Sequence, residues 1–206
     1  MAKKILPKQF WQHDDEVTNL SREEFLMKLK SFGEQENIPN ISWTGVDTLR
    51  FFLEIKKTKK VMEIGCANGF STIVIADMIE KWGGKVVTCD VSTPSIASAQ
   101  ANWAACGLQN IEVREGSALE VFEEEKEGSF DFIFIDGQKS WTHKFFTMAA
   151  QKLSPSGIII VDDTKKFADK MKSFKNLISK EKEKWIFFEV PEEDDALMVF
   201  TRRECL

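Results

Sequence analysis

The chain has 206 residues, of which 43% are hydrophobic, and it carries a net charge of −5. This length and composition are typical of one globular domain with a sizeable core and argue against a disordered chain. The acidic balance disfavours a broad nucleic-acid-binding surface, and no run approaches the roughly 18 apolar residues of a membrane span.

The first 40 residues are predicted to form helices that lie over a sheet. Ser21 and Glu24 have the spacing of a capping box, in which each residue satisfies a backbone N–H at the start of a helix. The residues after Met1 lack the apolar segment of a signal peptide, so we expect a cytoplasmic protein without a leader.

From residue 60 onward, strand-like and helix-like runs alternate. The predicted strands are 60–64, 85–90, 110–114, 130–136, 158–161, 184–190 and 196–202. The predicted helices are 71–81, 94–105, 118–125, 142–153 and 166–180, with a turn at 154–157.

This alternation predicts an α/β fold with right-handed crossovers and a mostly parallel sheet of seven strands. Several strands are apolar on both faces, as strands covered by helices on both faces require. The last two strands are joined too closely for a crossover helix, so we expect an antiparallel C-terminal hairpin at one edge.

Acidic residues end four of the predicted parallel strands. They are Glu63, Asp90, Asp136 and the pair Asp162 and Asp163. Ligands bind at the carboxyl ends of strands in open α/β sheets, and an acid about twenty residues past a glycine turn typically accepts hydrogen bonds from ribose hydroxyls. The pattern therefore predicts one ligand site, with Asp90 at the ribose position.

Glycines follow Glu63 at Gly65 and Gly69, and Ser71 opens the next helix. The spacing Glu-x-Gly-x-x-x-Gly differs from the Gly-x-Gly-x-x-Gly of dinucleotide-binding folds. A leading Glu would repel phosphate but would suit a cationic ligand with an amino group, such as S-adenosylmethionine (SAM). The same stretch is also compatible with a strand-to-helix turn that binds nothing.

The sequence resembles the class I SAM-dependent O-methyltransferases, and within them the catechol and caffeoyl-CoA O-methyltransferase group. Those enzymes carry Glu-x-Gly-x-x-x-Gly-[Tyr/Phe]-Ser, which stands here as Glu63 to Ser71 with Phe70 before the serine. The similarity runs from about Gly45 to Arg202. It implies a Rossmann-like methyltransferase domain over 1–206, with a helical substrate or lid segment at 1–58 and the core at 59–206.

The resemblance also implies which residues bind SAM. Glu63, Gly65 and Ser71 would hold the methionine part, Asp90 the ribose, and 116–118 the adenine. The full expected set is Glu63, Gly65, Cys66, Gly69, Ser71, Asp90, Val91, Gly116, Ser117, Ala118 and Asp136.

A divalent cation is the reactive centre of this family, and its ligands would here be Asp136, Asp162 and Asp163, with Asp163 replacing the usual Asn. Three carboxylates form a hard oxygen site that suits Mg²⁺, Mn²⁺ or Ca²⁺. With Asp136, Lys139 would be catalytic, as the base that takes the proton of the acceptor hydroxyl. A solvated lysine is a poor base, so the pKa of Lys139 must be lowered by the cation or by burial.

Other features leave the acceptor open. Glu189 matches an acid that orients a catecholic hydroxyl in animal enzymes, whereas Asp194, Asp195 and Ala196 replace a Gly-Asp-Gly that is frequent in the family. The resemblance implies a small hydroxyl acceptor, catechol-like or phenolic, and a homodimer. Alternatives are methylation of a wobble uridine in tRNA, a nicotinamide-dependent oxidoreductase, and a SAM-binding protein without catalysis.

The cysteines give no metal-binding signature. Cys66, Cys89, Cys106 and Cys205 lack a C-x-x-C spacing, and only two histidines exist. The sequence therefore disfavours a structural zinc site and predicts reduced thiols.

Overall fold

The structure is a computed structural model that describes residues 8–205. Its centre is one sheet of seven strands in the order β3-β2-β1-β4-β5-β7-β6. The strands are β1 (Lys60–Ile64), β2 (Lys85–Asp90), β3 (Ile111–Glu115), β4 (Phe130–Ile135), β5 (Leu153–Val161), β6 (Trp185–Pro191) and β7 (Ala196–Arg202).

Among residues 8–205, three helices precede β1, and the others lie between strands. The α-helices of the described residues are α1 (Asp15–Thr18), α2 (Arg22–Glu36), α3 (Trp43–Lys56), α4 (Phe70–Glu80), α5 (Thr93–Ala105), α6 (Ala118–Glu124), α7 (Thr142–Lys152) and α8 (Lys172–Glu181). Short 3-10 turns lie at Lys139–Trp141, Lys182–Lys184 and Arg203–Cys205. The predicted capping box is confirmed, because Ser21 and Glu24 bond reciprocally at the start of α2.

The predicted topology is confirmed. Strands β1 to β5 pair parallel, whereas β7 runs antiparallel to β5 and to β6. Strand β6 lies at one end of the strand order, so the C-terminal hairpin forms that edge. The carboxyl ends of β1, β2, β4 and β5 consequently meet at the same side of the sheet.

The core has two apolar layers, one on each face of the sheet. Successive strand residues alternate between them: Val61 belongs to the layer under α2 to α5, and Met62 belongs to the layer under α6 to α8. The same alternation separates Phe132 from Ile133 in β4. Both faces are therefore covered by helices, as the apolar strands predicted.

Two local predictions were wrong. Residues 154–157, predicted as a turn, lie within β5, where a register shift loops them out between the pairs Phe130–Leu153 and Phe132–Ile158. Helix α8 begins at Lys172 and not at residue 166, because 164–171 form separate turns. The predicted bounds of β1, 60–64, are confirmed. The N-terminal residues used for the leader prediction lie outside the described residues.

Replacing Phe200 by Ala should lower the free energy of unfolding by about 3–5 kcal/mol, the range for removing a buried aromatic side chain. Phe200 is fully buried, and its ring centre is 4.9 Å from that of Phe146. Urea unfolding of the two proteins would measure the loss. Met27→Ala is the matched control, because Met27 is 56% exposed and its truncation should change stability little. Equal losses in the two variants would contradict this packing.

Candidate active site

A cavity of about 680 Å³ opens at the carboxyl ends of the parallel strands. Its walls come from residues 39–41, 64, 65, 67, 89–91, 116–118, 136–139, 141, 162, 163, 166 and 167, with Phe145 from α7. A volume of this size is typical of small-molecule sites, which occur preferentially at this position in α/β sheets.

Gly65 allows the turn after β1 to pass close to the loop after β4. Its φ is +94°, and a Cβ at this position would lie 2.5 Å from the carbonyl oxygen of Asp136. Gly69 has φ +85° and precedes α4, where its N–H donates to the carbonyl of Cys66. Gly65 lines the cavity, whereas Gly69 and Cys66 do not, so these two residues shape the turn from behind the cavity wall.

Glu63 lies beneath the cavity and is fully buried. Its carboxylate accepts hydrogen bonds from the hydroxyls of Ser71 at 2.7 Å, Thr72 at 2.5 Å and Thr88 at 2.6 Å. Burial raises the pKa of Glu63 to about 7, although these three bonds oppose the shift. Neither Glu63 nor Ser71 reaches the cavity wall, so this network joins β1, β2 and α4 under the site.

Asp90 and Val91 line the cavity at the end of β2. The Asp90 carboxylate accepts backbone N–H bonds from Ala67 at 3.2 Å and Ser92 at 2.9 Å, which fix it against the glycine turn. The side chain of Val91 is 75% exposed and offers an apolar face to a ligand.

Residues 116–118 form the neighbouring wall at the end of β3. Gly116 has φ +137°, and Ser117 caps α6 with Glu120 in a capping box. The structure therefore brings the predicted ribose and adenine residues to one cavity.

Asp136, Asp162 and Asp163 form a cluster at the ends of β4 and β5. Each offers one carboxylate oxygen, and these oxygens lie within 4.8 Å of one another. Three hard oxygen donors at this spacing fit Mg²⁺, Mn²⁺ or Ca²⁺. Asp163 has φ +61°, a left-handed conformation that Asn and Asp adopt more readily than other non-glycine residues, so the exchange of Asn for Asp fits the backbone.

The ammonium group of Lys139 lies within this cluster. Its Nζ is 2.5 Å from Asp136 Oδ1 and 2.6 Å from Asp163 Oδ2. Burial lowers the pKa of Lys139, but the charges of Asp136, Asp163 and Asp162 raise it by more, so the net pKa is above its ordinary value. With both ion pairs in place Lys139 is protonated, which is opposite to the state that a base requires.

Asp195 is a site residue whose role the sequence did not reveal. Its Oδ1 accepts backbone N–H bonds from Lys165 at 3.0 Å, Lys166 at 2.9 Å and Ala196 at 2.7 Å. It thus holds the turn that follows Asp163 against β7. The sequence signal for this role was only an acid just before a strand. It could not reveal the contact itself, because Lys165 and Asp195 are 30 positions apart in the chain.

The sequence also missed the wall at 39–41, which lies before α3. Lys30 of α2 donates to the carbonyl of Ile41 at 3.0 Å, and Asn40 packs on Gly33. Trp141 lines the cavity, whereas Glu189 is exposed on β6 and is not part of the wall.

Comparison with known proteins places this chain in a family. The family model described as O-methyltransferase matches residues 16–182. The chain belongs to the O-methyltransferase family.

No helix among residues 8–205 is long and apolar enough to cross a bilayer.

Named relatives and a solved structure agree with this assignment. The chain is 27% identical over 159 residues to probable caffeoyl-CoA O-methyltransferase 1 of Dictyostelium discoideum, covering 73% of this chain and 66% of that protein. It is 30% identical over 119 residues to catechol O-methyltransferase of Niastella koreensis, covering 56% of this chain and 53% of that protein. The match thus spans between half and two thirds of these relatives.

The crystal structure of an O-methyltransferase from Bacillus cereus with S-adenosylhomocysteine (SAH) superposes with a TM-score of 0.76. The two chains are 26% identical, and the superposition covers 92% of this chain and 96% of the other. The neighbour therefore has the same fold over nearly its whole length.

Glu63→Gln should flatten the dependence of stability on pH. The pKa of Glu63 is about 7 in the folded protein and about 4.5 when exposed, so the folded state binds more protons between these values. Wild-type stability should therefore fall as pH rises from 4.5 to 7, and this contribution should be absent in the variant. Urea unfolding at pH values across this window measures it. The exposed control Glu189→Gln should follow the wild type, and a Glu63→Gln profile parallel to wild type would contradict the buried carboxylate.

Proposed function

We propose that this protein transfers a methyl group from SAM to a hydroxyl of a small catechol-like or phenolic acceptor, assisted by a divalent cation. The observation that supports this most is the single cavity wall that joins the glycine turn, Asp90 and the cluster of Asp136, Asp162 and Asp163. The relatives named as catechol and caffeoyl-CoA O-methyltransferases support the acceptor class. No feature of the described cavity specifically favours tRNA as the acceptor.

SAM fits the cavity with its methionine part at Gly65 and the loop 136–137, where backbone comes close and no Cβ intervenes. Asp90 is positioned to accept hydrogen bonds from the ribose hydroxyls. Val91 and 116–118 offer the apolar and backbone surfaces for the adenine. In this proposal Glu63 and Ser71 contribute to SAM binding indirectly, because they support the glycine turn.

Asp136, Asp162 and Asp163 would hold the divalent cation. When bound, such a cation would act as a Lewis acid that favours the deprotonated form of the acceptor hydroxyl. The same carboxylates hold Lys139 protonated in its ion pairs, so a cation and the lysine compete for them. Without these ion pairs, Lys139 would keep the burial that lowers its pKa and could accept the proton of the acceptor hydroxyl.

The acceptor would lie between this cluster and the outer wall. That wall consists of residues 39–41, 138, 139, 141, 166 and 167. We therefore propose that the N-terminal segment 1–58 contributes to acceptor binding through its loop before α3. Holding the hydroxyl in line with the methyl group would supply much of the rate through proximity and orientation.

Lys139→Met and Asp90→Ala should separate the two halves of the site. Without its base, the lysine variant should lose about 10²-fold or more in kcat and keep its affinity for SAH. The aspartate variant should mainly raise the KM for SAM. Steady-state rates with SAM and a catechol panel, with SAH binding measured by calorimetry, test both. An unchanged kcat in Lys139→Met excludes Lys139 as the base, and SAH binding without methylated product from any acceptor contradicts the proposed activity.

A homodimer is also proposed, formed along β6 and α3. The side chains of Phe51, Ile55 and Phe188 are 59%, 60% and 48% exposed, and Phe188 packs against Phe52 of α3. The outer edge of β6 has no strand partner within residues 8–205. A second copy related by a twofold axis would pair β6 antiparallel with itself and cover this apolar surface.

Phe51→Glu together with Phe188→Glu should convert the dimer to a monomer, because like charges would face each other across the twofold axis. Light scattering after gel filtration measures the mass. Glu189→Lys, which alters the same strand without removing apolar surface, is the matched control and should leave the dimer largely intact. A monomeric wild type would overturn this interface.

The free thiols of Cys66, Cys89 and Cys106 are consistent with the further proposal of a cytosolic location.

A further inference from the structure

The loop between β6 and β7, residues 192–195, lies beside the cavity without being part of its wall. Strand β7 is antiparallel to both β5 and β6, so β6 runs in the same direction as β5. The carboxyl end of β6, where this loop begins, therefore lies at the edge of the sheet where the cavity opens. The loop acts on a bound ligand through the residues that it holds.

Glu192 joins this loop to the start of α3, 150 positions earlier in the chain. The hydroxyl of Ser42 donates a hydrogen bond to Glu192 Oε1 and accepts one from the N–H of Gly45 at 2.9 Å, so the same hydroxyl caps α3. The glycine leaves space for this contact, because a Cβ on Gly45 would lie 3.1 Å from Glu192 Oε1. A carboxylate acceptor makes the bond stronger than one between neutral groups.

Ser42 directly follows the cavity wall at 39–41, which faces the acceptor in the proposed function. Lys30 of α2 donates to the carbonyl of Ile41 at 3.0 Å and holds the wall from the side of the N-terminal helices. Neighbouring Cα atoms stay about 3.8 Å apart, so a displacement of Ser42 displaces Ile41 as well. The contact with Glu192 consequently fixes where this wall stands relative to the sheet.

The other end of the loop holds a second part of the outer wall. Asp195 accepts the backbone N–H bonds of Lys165 and Lys166, and Lys166 lines the cavity. The carbonyl of Ala196 accepts bonds from both the N–H and the hydroxyl of Thr164, at 3.0 Å and 2.9 Å. The turns after β5 are therefore tied to the end of the loop and the start of β7.

A backbone hydrogen bond closes the loop itself. The N–H of Glu192 donates to the carbonyl of Asp195 at 3.0 Å, which keeps the two ends of the loop together. Two parts of the outer wall, one before α3 and one after β5, are thus held by a single four-residue loop. Groups that are held in place before a ligand arrives lower the ordering cost of binding it.

We infer that Glu192 is a positioning residue for the acceptor. Through Ser42 it holds the wall at 39–41 in a fixed place relative to the wall at 166–167, so the acceptor opening is preformed. The inference rests on the proposed methyl transfer and adds a residue that acts on the acceptor and not on SAM. Asp90, at the SAM end, is fixed by backbone N–H groups of its own neighbourhood.

Glu192→Ala, Glu192→Gln and Glu193→Ala separate this role from a loss of charge. The amide oxygen of Gln still accepts the bond from Ser42, and Glu193 is an exposed acid of the same loop, so Glu193→Ala is the matched control. Calorimetry of catechol binding to the SAH-saturated protein should show about tenfold weaker binding in Glu192→Ala, the effect of losing a hydrogen bond to a charged group. The other two variants should bind catechol nearly as the wild type does, and all three should keep their affinity for SAH.

Kinetics and a double-mutant cycle test whether Glu192 acts through Ser42. The KM for catechol should rise in Glu192→Ala while the KM for SAM stays unchanged. Adding Ser42→Ala to Glu192→Ala should weaken catechol binding little further, because both changes remove the same contact.

Hydrogen exchange gives a measurement that needs no acceptor. The N–H groups of Gly45 and Val46 bond to the side chain and carbonyl of Ser42, so they report on the start of α3. They should exchange faster in Glu192→Ala than in the wild type and should not change in Glu193→Ala.

Unchanged catechol affinity in Glu192→Ala would overturn the inference, as would equal losses of catechol and SAH affinity. A loss in Glu192→Gln as large as that in Glu192→Ala would also overturn it. Faster exchange confined to Glu192→Ala, in a protein that binds SAH but neither binds nor methylates any catechol, would support the positioning of the wall and contradict the proposed acceptor class. The two proposals therefore fail in distinguishable ways.

Discussion

The arrangement of the site depends on one constraint, the convergence of acidic side chains at the carboxyl ends of parallel strands. Asp136, Asp162 and Asp163 lie so close that their charges repel, and burial adds to the cost of ionising them. A cation between them offsets this repulsion. In this structure the ammonium of Lys139 fills that role with two short ion pairs.

Other acids of the same edge stabilise the site from outside the cavity. Glu63 joins two strands and a helix through three hydroxyl groups, and Asp195 fixes the turn after Asp163 through three backbone N–H groups. Both are largely buried, and these hydrogen bonds replace part of the hydration that the carboxylates lose. The cavity can then present Asp90 and the carboxylate cluster to ligands.

Much of the fold could be predicted from the sequence, because apolar runs and glycine breaks are local signals. The strand order places Asp90 and Asp136 at one edge without further information. The placement of Glu63 beneath the cavity could not be predicted, because it depends on hydroxyl groups that Ser71 and Thr72 of α4 and Thr88 of β2 bring to its carboxylate. The looped-out residues in β5, the role of Asp195 and the wall at 39–41 depend on contacts between distant segments, which periodicity does not report.

The central claim is that the three aspartates bind a divalent cation in competition with Lys139. Calorimetric titration of Mn²⁺ into the SAH-saturated protein, beside an Asp162→Ala variant, tests it most directly. The account predicts saturable binding at one site in the wild type and its loss in the variant. Absence of Mn²⁺ binding by a wild type that still binds SAH would contradict it, and would mean that Lys139 is the permanent cation of this cluster.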